Sequence, residues 1–180
     1  MAHDLIQTFE KNASELYWLA FLLTGNADRS VQAFDRALDV DEDENPAFGD
    51  FMSTWVRKLI VVEALGTMEK ELRASRQRTA RLGEEPASNP CLGRPSYIGK
   101  DEFEDAVLAI DAFPRCAMLL TIFEGMPVAQ AAVLLNADEA LTATAQRMGI
   151  VQLTCNLSSD NGRDLYPEPG RNPVPVLSLG

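Results

Sequence analysis

A chain of 180 residues, 46% hydrophobic and 24% charged, is long enough to bury the core of one domain or of two small ones. Its 16 Lys and Arg face 27 Asp and Glu, a formal charge of -11, which argues against unfocused attraction to phosphate backbones or anionic lipid. One histidine, His3, stands at the fraying end of the chain, so Ser/His/Asp and Cys/His catalysis and histidine-rich metal sites are not expected.

Residues 4–24 place Leu5, Phe9, Ala13, Leu16, Ala20 and Leu23 at spacings of three and four, one face of a helix that Thr24-Gly25 stops. A second helix is expected from about Asp28 to Asp39, with Val31, Phe34, Ala37 and Leu38 inward. Residues 39–44, acidic apart from Val40, read as a solvated loop without the glycine and ligand spacing of a calcium site. Asn45-Pro46 is a helix start. From there Phe48, Trp55, Leu59, Val62, Leu65 and Met68 keep helical spacing, and Leu72 extends it, so one long helix to about Leu82 is expected. Phe48, Phe51 and Trp55 fit the core period, with stacking on unpaired bases as the alternative.

The end of that helix is basic. Lys70, Arg73, Arg76, Arg78 and Arg81 stand close together, either as a nucleic-acid surface or as cations complementing a helix C-terminus. "GEEPASNPCLGRPSYIGK", residues 83–100, has no sustained apolar period and reads as a flexible linker. Beyond it, Asp101 with Glu104 suggests a capped helix start, and Phe113-Pro114 a helix end. Another helix holds Cys116, Met118, Leu119, Leu120, Ile122 and Phe123 and ends at Gly125.

"MPVAQAAVLLNADEALTATAQRM", residues 126–148, has the layout of a helix-turn-helix: Pro127 opens the first helix, Asn136 lies in the turn and Asp138 caps the second. Thr142, Thr144, Gln146 and Arg147 are its candidate base-reading residues, and Arg147 is its one cation beside Asp138 and Glu139. Residues 158–180 are rich in Pro and Gly and read as a tail, with folding back over a groove as the alternative. Cys91, Cys116 and Cys155, widely spaced, read as buried or free thiols of a reducing, cytoplasmic compartment, and no apolar run suits a membrane span. No strand alternation stands out. The expected fold is all-α: a helical domain over 1–82, the linker, a helix-turn-helix domain over 101–157 and the tail.

Three stretches give a resemblance. "LYWLAFLLTGNADRS", "FMSTWVRKLIVVEALGTMEKELRASRQR" and "DAFPRCAMLLTIFEGMPVAQAAVLLNADEALTATAQRM" are similar, in order and spacing, to the extracytoplasmic-function group of bacterial RNA polymerase sigma factors, over residues from about 5 to 157. The resemblance implies a first domain that binds polymerase core and melts the minus-ten promoter element, and a second that reads the minus-thirty-five element. It places polymerase docking on "AFDRAL", with Phe34, Asp35, Arg36 and Leu38, where Asp35 and Arg36 replace the family's glutamine and acid. It also places Ala143, Ala145, Met148 and Ile150 where the family presents Lys and Arg, so minus-thirty-five reading is weakened and promoter binding depends on context. An anti-sigma protein is a further partner the resemblance implies. The alternatives are a diverged sigma-like protein-interaction module that does not initiate transcription, and a small-molecule-binding regulator with its pocket between the domains. No cofactor, metal or enzymatic activity is expected, since no nucleophile, base or phosphate-cradling loop accompanies the carboxylates.

Overall fold

The computed structural model describes residues 2–38, 49–82 and 98–160, and the side chains of residues 12–37, 54–82 and 98–158. The acidic loop, Asn45-Pro46, Phe48, Cys91, the linker up to residue 97 and residues 161–180 lie outside these, as do the side chains of His3, Leu5, Phe9, Leu38 and Phe51. Among the described residues the chain is all-helical, and no helix is long and apolar enough to cross a membrane.

Helix α1 spans Ala2–Thr24 and α2 spans Ala27–Leu38. Their junction follows the local signals. Gly25 takes φ +65, the left-handed conformation an L side chain resists, and its N–H donates to Phe21 O. The Asn26 side chain then accepts the Arg29 N–H and starts α2. The buried side of α2 is Ser30, Ala33 and Ala37, whereas Val31 is 50% exposed. The expected inner stripe is thus rotated: small residues let α2 lie close on its neighbours, and the bulkier Val31 is turned to the flank.

The single long helix expected up to Leu82 is two helices, α3 over Gly49–Thr67 and α4 over Glu69–Leu82. Met68 N–H reaches back only to Leu65 O, a tighter turn than the α-helix makes, while the Thr67 hydroxyl donates to Ala64 O. Gly66 and β-branched Thr67 are weak helix formers at that point. Apolar spacing runs through the break because Met68, 1% exposed, is itself a core residue.

Helix α5 spans Lys100–Leu108. Gly99 is its cap and Glu102 folds back to accept the Gly99 N–H, so the pair expected at Asp101 and Glu104 lies two residues earlier. Helix α6 spans Ala112–Met118 with Phe113-Pro114 in its first turn. Pro114 therefore opens a helix here and does not end one: first-turn N–H groups have no intrahelical partner to lose, and the Asp111 side chain accepts the Ala112 N–H. A π-helical turn, Leu119–Phe123, continues α6, with Glu124 N–H donating to Leu119 O, and Gly125 at φ +63 ends it. Helix α7 spans Val128–Leu134 and α8 spans Glu139–Asp160. The residues between them hold Asn136 at φ +48, and the Asp138 carboxylate accepts the Leu141 N–H at 2.7 Å.

Two apolar cores meet on α1. Leu16 and Ala20 join Ala37, Val56 and Ile60 in a small cluster within the first three helices. Leu19, Leu22 and Leu23, on another face, enter a larger cluster with Met68 and Leu72 and with Val107, Phe113, Leu119, Leu120 and Leu135. The residues before 83 and those after 97 therefore bury their apolar groups together. Phe113 at the centre is 0% exposed.

Candidate nucleic-acid and partner interface

The basic residues of α4 have divergent fates. Lys70, Arg73 and Arg81 point to solvent, Arg73 bonded to Glu69 one turn back at 3.0 Å. Arg76, half-buried, donates to the carbonyls of Leu135 and Asn136, the acceptors that the end of α7 leaves over. Arg78 forms a two-pronged pair with Asp111 at 2.9 and 2.7 Å. The Arg78 guanidinium holds the Asp111 carboxyl below its ordinary range against the opposing effect of partial burial, and hydrogen bonds from Ser75 and Ala112 add to it. Two of the five cations read as a nucleic-acid surface thus face the second half of the molecule.

The candidate base-reading residues are dispersed as well. Thr142 is 0% exposed and its hydroxyl donates to Asp138 O, which withdraws it from any base edge. The Thr144 hydroxyl donates to Ala140 O and accepts from exposed Arg147. Gln146 is half-buried. The outward face of α8 consists of Ala140, Ala143, Arg147, Ile150 and Thr154 at spacings of three and four, a weakly charged, partly apolar strip.

On α2, Asp35 and Arg36 are exposed while Phe34 is half-buried against the small cluster, its ring 6.2 Å from Tyr17. Trp55 packs on the same cluster, which favours the core reading of that residue.

Several connecting residues were not singled out from the sequence. Arg115 is 4% exposed and donates to Leu108 O, Ile110 O and Leu23 O. It gathers carbonyls at the ends of α1 and α5, where helix dipoles favour a cation, and its Nε has no hydrogen-bond partner among the described residues. Ser75, fully buried, accepts the Phe113 N–H at 2.8 Å. Arg57 on α3 grips Glu124, whose side chain is 10% exposed, and this carboxylate raises the arginine's affinity for its proton. The Trp18 indole donates to Glu104, and Lys100 lies over its ring. Apart from the Leu108 and Ile110 carbonyls, which lie close to Arg115 in sequence, these hydrogen-bond partners are 38 to 92 residues apart, so no local pattern announces them.

Cys116 is free and buried, and burial pushes its thiol up to about 12, so it stays protonated and unreactive. Cys155 is disulfide-bonded, which corrects the reading of three thiols at that residue and removes it from the argument for a reducing compartment. Among the described residues no cluster of His, Cys, Asp and Glu is arranged to hold a metal ion. No family model, curated protein or solved structure matches the chain.

Proposed function

We propose that this chain is a sigma-factor-like regulator of transcription, of the extracytoplasmic-function type, that works chiefly through protein contacts, with RNA polymerase core as its first partner. The observation that carries this reading is where the cations lie. Arg76 and Arg78 are engaged by the second half, and α8 offers Arg147 alone on an outward face otherwise made of Ala140, Ala143, Ile150 and Thr154. Phosphate contacts position a helix-turn-helix on DNA, and one cation supplies few of them. Promoter DNA is then a weak, context-dependent ligand that counts only through the high effective concentration polymerase provides. The exposed Asp35-Arg36 edge of α2 is the polymerase-facing surface in this reading, and α7 with α8 keeps the helix-turn-helix layout as a contact platform.

The shared core favours a second reading: a sigma-like interaction module that does not itself initiate transcription. An initiating factor must engage two separated promoter elements with its two helical units. Here Leu19, Leu22 and Leu23 of α1 bury against Phe113 and Leu119, and Arg115 ties Leu23 O to the end of α5.

Both readings meet one experiment, in which the full chain is mixed with core polymerase and promoter fragments. A stable complex that opens the promoter supports initiation, and a complex without opening supports the module. Failure to bind core polymerase overturns the polymerase assignment. Free of polymerase, DNA affinity is expected to fall with salt by a log–log slope of about -1 to -2, as for one or two phosphate contacts.

A further inference from the structure

A cavity of about 270 Å³ lies between α3, α4 and the α7–α8 turn. Its apolar wall comes from Val62 and Leu65 of α3, Leu72 of α4, Leu134 at the end of α7 and Leu135 of the turn. Gly66 faces open space, with nothing within 4 Å of where a Cβ would stand, so the wall is recessed on that side. Along one edge α4 presents Glu69, Arg73 and Arg76, which share a face at helical spacing.

This edge carries two guanidinium groups against one carboxylate in a chain whose formal charge is -11. Arg76 is committed to the turn carbonyls, but among the described residues Arg73 is held only by an exposed pair with Glu69, their side chains 62% and 73% exposed. Such pairs contribute little and exchange readily. A carboxylate offered from the cavity side can therefore take Arg73 in the two-pronged geometry guanidinium favours, while an attached hydrocarbon covers Leu65, Leu72 and Leu134.

We propose that the cavity is a binding site for a small apolar monocarboxylate, of the size and shape of a medium-chain fatty acid. The volume sits at the small end of the range for ligand pockets, about 300–1,000 Å³, which limits the ligand to about ten heavy atoms. A ligand of that size reaches a Kd on the order of 0.1–1 mM in a half-open site. Because it touches α3, α4 and the α7–α8 turn together, it binds the folded chain and stabilises it against unfolding. The site stands apart from the regulatory reading, since neither polymerase nor DNA enters the argument.

The test is titration of the full chain with octanoate, octan-1-ol and acetate, followed by backbone amide shifts in two-dimensional NMR. Octanoate is expected to saturate with Kd on the order of 0.1–1 mM and to move Gly66 and Asn136. Octan-1-ol and acetate should each bind at least about tenfold more weakly, the first lacking the charge and the second the apolar body. Arg73→Gln should weaken octanoate about fivefold or more and leave octan-1-ol unchanged. Gly66→Leu, placed where a side chain meets nothing, should fill the recess and abolish octanoate shifts while the melting temperature holds. Equal binding of acid and alcohol, shifts that map elsewhere, or octanoate affinity indifferent to both substitutions would each overturn the proposal. The polymerase experiment is untouched by any of these outcomes.

Discussion

Helices α4 and α8 both pack on α6, and they hold it by different means. On the α4 side the attachment is polar: the Ser75 hydroxyl accepts the Phe113 N–H, and Arg78 pairs with the Asp111 that caps α6. On the α8 side it is steric. A Cβ built on Gly149 would stand 2.6 Å from Pro114 O and 2.9 Å from Met118 Cβ, so only a glycine allows the two backbones this approach. Charge and polarity on α4, which the sequence offered as a nucleic-acid surface, are partly spent within the molecule. The lack of a side chain at Gly149, in the middle of α8, thus has a packing reason.

Four substitutions or conditions sharpen the contrast, from the largest effect to the smallest. Arg115→Ala removes the charged donor from the carbonyls of Leu108, Ile110 and Leu23 at the point where α1, α5 and α6 converge, and leaves Leu23 O with only the weak Cys116 thiol donor. It is expected to cost about 3–5 kcal/mol and to lower the melting temperature by about 10 °C or more. A loss below about 1 kcal/mol in chemical denaturation would mean that apolar contact alone joins the halves.

Gly149→Ala tests the steric side. The added methyl must push α8 away from the backbone of α6, costing about 1–3 kcal/mol, although alanine has the better helix propensity. If the variant is as stable as the parent, or more so, close approach is not what seats α8.

On the polar side, Ser75→Ala removes an acceptor from a buried N–H and should cost about 1–2 kcal/mol. Hydrogen exchange at the Phe113 amide should accelerate more than at its neighbours, and an unchanged rate there would break the assignment.

The smallest effect is a pH dependence. Asp111 has a carboxyl held below its ordinary value, chiefly by Arg78, so the folded state binds its proton less readily than the unfolded chain. The stabilisation it contributes is present above the ordinary carboxylate range, about pH 4, and is lost as pH falls through the lower folded value. Arg78→Ala should flatten that part of the acid-unfolding profile, and because the pair is exposed, added salt should do the same to a lesser extent. Identical acid profiles for parent and variant would remove the pair from the attachment.

Where structure is set by adjacent residues, it was legible in advance. Gly25 in the left-handed region, Pro127 before α7, Asn136 in the turn and Asp138 as a cap act through their own backbone conformation or a bond to a near neighbour. The break at Met68 was hidden because helical apolar spacing runs through it. Pro114 misled for a related reason: its ring ends a helix only where an N–H is missed, and in the first turn of α6 none is. The candidate site was least legible. Nothing local distinguishes Arg115, wholly internal, from Arg81, wholly external, nor Arg76 from Arg73 one turn-fraction away. What separates them is which carbonyls arrive from the far side of the chain, and that is a property of the fold.

The wide turn at Leu119–Phe123 carries one residue more than an α-helical turn between the same ends. Each helical residue turns the chain by about 100°, so the extra one sets the bearing of everything that follows. With it, Glu124 arrives beside Arg57, and Phe123 lies 5.6 Å from Phe103. Removal of a single residue from this stretch would restore a regular helix and swing Glu124 by about a quarter turn, breaking the grip on α3 while leaving every other residue type in place. The docking of α6 on the first helices is therefore encoded as a count of residues as much as by their chemistry, and a one-residue deletion here is a larger change than most substitutions.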